Sequence, residues 1–159
     1  MKAIDKYKYW VMLSDYDLDT IQVLIDGKRW VYVAFICQQA IERQLKGMYV
    51  YHLQKEAPKG HNVSYLFEKI VSSENFGKKV AASLVKGQKE KWEDFMVDVM
   101  FYYMNDYPFS YKNIASRFID ETTARELYQN TKECVAWLRT LQPMPEKMQI
   151  DNLAASTEF

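Results

Sequence analysis

Along most of the chain, apolar residues return every three or four positions with polar residues between them. This is the period of helices resting on a shared core. Val11, Ser14, Leu18, Ile21 and Ile25 form one such face and predict a first helix from about Asp5 to Asp26. Gly27 follows at the place just past a helix end where a left-handed backbone suits glycine. Trp30, Ala34, Cys37, Ile41, Leu45 and Met48 predict a second helix over about 28–54. Val31, Phe35 and Ile36 widen its stripe, as expected of a helix that is central or faces a partner subunit. Pro58 and Gly60 break the chain. Asn62 is placed to cap a short third helix over 63–71, with Leu66, Phe67 and Ile70 inward.

Residues 72–75 read as a loop, and 76–105 as a fourth helical region interrupted near Gly87. Phe95, Val99, Tyr102 and Tyr103 are its expected apolar side. Tyr107-Pro108 must disturb that helix, because proline lacks the backbone donor and restricts the residue before it. A last helix is expected from near Thr123, where Thr123 and Glu126 have capping-box spacing. Its face is Leu127, Thr131, Cys134, Leu138 and Leu141, and Pro143 stops it. The pattern predicts an all-α, up-and-down bundle of about four or five helices over residues 1–142. Residues 143–159 form a polar tail, expected to be a mobile or docking arm.

Composition narrows the function classes. A chain of 159 residues fits one domain, and about 70% of its surface can be buried without metal or disulfide staples. Lys plus Arg and Asp plus Glu are both 21, so the net charge is zero and bulk coating of nucleic acid is not expected. Cys37 and Cys134 are far apart in apolar patterns and read as buried thiols. Only two histidines and no Cys-x-x-Cys occur, so no metal or other cofactor is expected. The N-terminal residues lack the apolar core of a signal peptide, and no apolar run is long enough for a membrane span. A cytoplasmic protein is expected.

The second helix carries a more specific pattern, Ala34-Phe35-Ile36-Cys37-Gln38-Gln39-Ala40-Ile41-Glu42-Arg43-Gln44-Leu45-Lys46-Gly47. It resembles the central helix of the HEPN family (higher eukaryote and prokaryote nucleotide-binding domains). Trp10, Asp17-Leu18, Gly27 and Trp30 fit that family without a gap. Pro58-Lys59-Gly60-His61-Asn62-Val63 with Leu66 resembles a second family segment, and Ala136-Trp137-Leu138 its closing helix. A family Tyr-x-x-x-Arg-Tyr-Pro element is matched in part by Tyr103 with Tyr107-Pro108, or by Tyr111 with Arg117-Phe118. The resemblance implies a helical bundle that forms a homodimer and associates with nucleotides or RNA. It also implies pairing with a minimal nucleotidyltransferase as a toxin–antitoxin couple.

RNase members of that family carry Arg, four to six residues, then His. Cleavage by the RNA's own 2′-hydroxyl needs a near-neutral base, which His supplies. It also needs a fixed cation at the phosphate, which Arg supplies with a planar fork. Here the window before His52 holds Leu45, Lys46 and Gly47, and that before His61 holds Gln54, Lys55 and Glu56. No histidine follows residue 61, so the expectation is a binding module rather than an enzyme. The alternatives are a divergent metal-independent RNase using His61 with Arg117 or Lys46, and a purely structural dimerisation protein.

The candidate ligand-binding residues are Gln38, Glu42, Lys46, His61, Tyr107 and Arg117. Gln38, Glu42 and Lys46 stand at i, i+4 and i+8, so they share one ridge. That ridge is either an internal polar network or one wall of a nucleotide groove, and Asp17 could reach it to pair with Lys46 or Arg43. His61 either orients the third helix or contacts a ligand. The aromatics Tyr102, Tyr103, Tyr107, Phe109 and Tyr111 either pack or stack on bases.

Overall fold

The computed structural model of the chain describes residues 1–104 and 119–143. Within them lie seven helices and no strand: α1 (Ala3–Asp26), α2 (Trp30–Leu53), α3 (Val63–Val71), α4 (Glu74–Lys79), α5 (Ala82–Val85), α6 (Lys89–Met104) and α7 (Glu121–Arg139). Residues 144–159 lie outside the described residues. Among the described residues, no helix is long and apolar enough to cross a membrane.

α1 and α2 form an antiparallel hairpin, with Ser14 donating to the Ala40 carbonyl at 2.8 Å near its middle. Their backbones approach closely at Gly47, where an added Cβ would stand 3.1 Å from the Trp10 Cβ. The turn between them is a six-to-one motif. Arg29 N–H bonds to Leu24 and Lys28 N–H to Ile25. The left-handed residue is Lys28 (φ 58°), not Gly27 (φ −86°): α1 ends at Asp26 as expected, Gly27 is its C-cap and the chain turns one residue later.

α2 is the central element and touches α1, α3, α4, α6 and α7. Its Ala34, Cys37, Ile41, Leu45 and Met48 are buried, Trp30 lies at the margin, and Val31, expected to widen the stripe, is exposed. α7 runs antiparallel to α1 and parallel to α2. Arg139 meets Asp15 and Gln44, Tyr128 meets Leu18, and Leu141 meets His52. All five expected core residues of this last face, Leu127 to Leu141, are buried.

Three expected boundaries differ. α4 starts at Glu74, because Ser73 caps it by accepting from Phe76 N–H, so the expected loop over 72–75 is shorter. The expected fourth region is three helices, interrupted over 80–88, where Gly87 adopts φ +85°. α7 starts at Glu121, not near Thr123. Asp120 is its cap, accepting from Thr123 N–H at 2.8 Å, and this bond holds the Asp120 carboxyl below its ordinary range.

The inward stripe of α6 is Trp92, Met96 and Val99, with Phe95 and Tyr102 half-buried at its edge. Trp92 stacks on Trp137 of α7 at 6.5 Å, which turns α6 from the expected register. The Trp137 ring N–H also donates to the Leu84 carbonyl and pins α5.

Both cysteines are buried and free, and burial pushes the Cys37 thiol up to about 12. Asn62 caps α3 as the sequence predicts, accepting from Tyr65 N–H at 2.9 Å. Asn62→Ala is expected to cost about 1 kcal/mol and Asn62→Asp almost nothing, read by urea unfolding.

Candidate functional site

Four of the six candidate residues come together where the α2–α3 loop returns to the flank of α2. The chain leaves α2 through Gln54 in a left-handed conformation, φ 54° and ψ 36°. It comes back at His61. The Gln38 side-chain amide donates to the His61 carbonyl at 2.8 Å. His61 Nδ1 lies 2.8 Å from Glu42 Oε1, and since an ionised carboxylate only accepts, the ring N–H is the donor. Lys46 Nζ donates to the other oxygen, Oε2, at 3.3 Å and sits 5.6 Å from the centre of the Trp10 ring.

The burial of this group is unusual for its chemistry. Gln38 is 1% exposed, and Glu42 and Lys46 are each 6% exposed. Buried charges persist only when paired, and here each oxygen of Glu42 has its own donor. The His61 side chain is 59% exposed, so its ring connects the buried pair to solvent. The Gln38 bond to the loop backbone and the Glu42 bond to the ring together set where α3 begins.

Asp17 does not join Lys46. It faces the neighbouring flank of α2, where Arg43 Nη1 lies 3.0 and 3.1 Å from its two oxygens and Gln39 donates at 3.0 Å. Burial pushes the Asp17 carboxyl above its ordinary range, with Arg43 and Gln39 pulling the other way. The expected ridge Gln38, Glu42 and Lys46 is one cluster, and Asp17 with Arg43 and Gln39 forms a second beside it. Tyr107 and Arg117 lie outside the described residues.

The other histidine is placed differently. His52 is fully buried, and its Nε2 lies 3.1 Å from the Leu141 carbonyl. That oxygen can only accept, so the proton is on Nε2, and Nδ1 is left buried without a partner. Burial lowers the His52 pKa to about 4. Tyr51 and Phe76 enclose the ring edge-on at 4.8 and 5.1 Å.

A further polar group escapes sequence patterning. Arg139 forms an ion pair with Asp15 at 2.6 Å and donates to Gln44 at 3.1 Å, tying α7 to α1 and α2. Nothing in residue spacing marks these three, because they stand on three different helices. Among the described residues, no group of three or more His, Cys, Asp or Glu is arranged to hold a metal ion.

The family model of the HEPN domain matches residues 7–141 of the chain. Neither a curated protein nor a solved structure matches it.

Proposed function

The chain belongs to the HEPN domain family, and from that premise we propose that it acts by binding, as a non-catalytic module associated with a nucleotide or RNA. Family membership supports the association in general. The absence of catalysis rests on one observation: neither histidine stands in the Arg-x4-6-His arrangement. His52 is buried against the Leu141 carbonyl, and His61 commits Nδ1 to Glu42. A carboxylate on Nδ1 does not stop a histidine acting as a base through Nε2. The nearest cation of the network, however, is a lysine buried on Glu42, without the planar fork that arginine offers a phosphate.

In this reading the protein is a cytoplasmic homodimer. Its partner is a minimal nucleotidyltransferase, in a toxin–antitoxin-type pair. The ridge Gln38–Glu42–Lys46 holds the fold, while His61, with Tyr107 and Arg117, contacts the ligand. The first test is native mass spectrometry of the protein purified gently from its own host. A dimer carrying a nucleotide, an RNA fragment or a nucleotidyltransferase supports this function. A bare dimer in every preparation favours a purely structural protein.

The exposure of the His61 ring favours a second reading, a divergent RNase that uses His61. The purified chain is expected to leave RNA intact in EDTA. Metal-independent cleavage that disappears in a folded His61→Ala variant would establish the second reading instead.

A further inference from the structure

The α6 and α7 helices diverge and leave a cleft of about 330 Å³ between them. Its two walls differ in chemistry. Phe95, Asp98, Phe101 and Tyr102 line it from α6, at spacings that put them on one side of that helix. Glu126 and Asn130 face them from α7. Phe101 is 56% exposed and Tyr102 half-buried, and their rings meet edge to face at 5.9 Å on the α6 wall of the cleft.

The polar groups of the cleft are not consumed by the fold. On these two helices Glu93 pairs with Lys89, Glu121 with Arg125 and Glu133 with Gln129, while Glu90 and Asp94 of α6 face solvent without a partner among the described residues. Asp98 and Glu126 are the unpaired carboxylates that line the cleft: among the described residues neither has a hydrogen bond or an ion pair, and the Asn130 amide has none either. Two unpaired carboxylates in one small cleft repel phosphate and attract N–H donors. Aromatic walls select a planar group. An aliphatic cation would use the charge and the ring faces, but it offers the Asn130 N–H groups no acceptor.

We propose that this cleft is a nucleobase pocket that selects guanine. A ring stacked on the α6 aromatics turns its edge toward α7. There the Glu126 carboxylate accepts from guanine N1–H and the 2-amino group as a pair of parallel bonds, the geometry that a carboxylate also gives a guanidinium. The Asn130 amide donates to O6. Asp98 is the second acceptor on the stacking wall, and it keeps the phosphate outside the cleft. Adenine presents an acceptor at N1 and no 2-amino group, so it meets Glu126 with a lone pair instead of a proton. Stacking on aromatic side chains with recognition of the Watson–Crick edge is how single-stranded bases are read. The inference rests on the nucleotide-associated reading above and adds which base is read, in a cleft whose lining is separate from the His61 contact.

The test uses the full chain. Guanosine monophosphate, inosine monophosphate and adenosine monophosphate are titrated by calorimetry. Single-stranded RNAs with guanine, or with hypoxanthine at every guanine, are titrated by fluorescence anisotropy. Guanine is expected to bind at least 10-fold more tightly than hypoxanthine, which lacks only the 2-amino group, and adenine more weakly still. Binding of the free nucleotide and of the RNA distinguishes the two sources of the base. Glu126→Gln is expected to reduce guanine binding at least 10-fold and to narrow the preference over hypoxanthine. Phe101→Ala is expected to weaken all bases alike. Both side chains are exposed, and circular dichroism checks that each variant keeps its helices.

If RNA or nucleotides bind with no preference for guanine, or Glu126→Gln binds as the parent does, the pocket assignment falls while the nucleotide-associated function stands. If agmatine competes with guanosine monophosphate at equal concentration, the cleft is a cation site and the assignment falls. If no nucleotide or RNA binds the chain at all, both fall.

Discussion

Glu42→Leu is expected to destabilise the fold by about 3–5 kcal/mol, the cost of stranding a buried charge. Lys46 is 6% exposed, and its ammonium bonds to Glu42 Oε2 at 3.3 Å. Without that carboxylate the Trp10 ring, 5.6 Å away, is its remaining neighbour in this network. A cation over an aromatic face recovers only about 1–2 kcal/mol. The same substitution removes the acceptor of His61 Nδ1 and loosens the loop that starts α3.

The double variant Glu42→Leu with Lys46→Met is expected to regain most of the loss, because a well-packed apolar pair can replace a buried ion pair at little cost. Urea unfolding of the parent, the two single variants and the double variant closes the cycle. A single Glu42→Leu variant as stable as the parent would mean that the pair does not hold the bundle. The ridge would then have to be read as a ligand wall.

Lowering the pH from 7 to 4.5 is expected to remove about 2–3 kcal/mol through His52 alone. The group binds its proton at about 6.5 when unfolded and only at about 4 when buried. The unfolded chain therefore gains protons first as pH falls. The His52 contribution is fully present above pH 6.5 and is lost progressively down to about pH 4. The physical cause is burial, which penalises the imidazolium, and the Leu141 carbonyl offsets only part of it.

Carboxylates titrate in the same window, so the parent alone does not isolate this residue. His52→Gln keeps a side-chain amide to meet the Leu141 carbonyl and cannot titrate. Its stability at pH 7 is expected to be lower and its decline toward pH 4.5 shallower by the same 2–3 kcal/mol. Parallel pH profiles for parent and variant would show that His52 is not the acid-sensitive group.

The long helices are legible in the sequence because periodicity reports burial directly. The faces of α1, α2 and α7 and the Asn62 cap follow from spacing and residue type. α4 and α5 are not legible, since helices of six and four residues are too short to show a period. The register of α6 also escapes. Phe95 and Tyr102 are as apolar as Trp92 and Met96, and the choice between the two stripes is made by Trp137 on α7. Asp120 and Thr123 are both plausible caps by type, and backbone geometry selects Asp120.

The candidate site divides in the same way. The i, i+4, i+8 spacing is enough to place Gln38, Glu42 and Lys46 on one side of α2. It does not say that His61 closes over them, because that contact spans 19 residues through a loop. It leaves Asp17 able to reach either Arg43 or Lys46, and the side-by-side packing of α1 and α2 delivers it to Arg43. Of the α6–α7 cleft, the sequence shows only a run of aromatics. Its carboxylate and amide come from the opposite helix, so no linear pattern joins them.

By itself the sequence determined the helical class, the faces that turn inward, the family and the missing Arg–His pair, because each of these is local or is carried by consecutive residues of one helix. Tertiary structure alone decided which charges are buried and paired, which histidine is sealed and which reaches solvent, and where a cleft opens. Those properties depend on how separate helices meet, and the free energy of a charge or a cavity is set by what lies across from it.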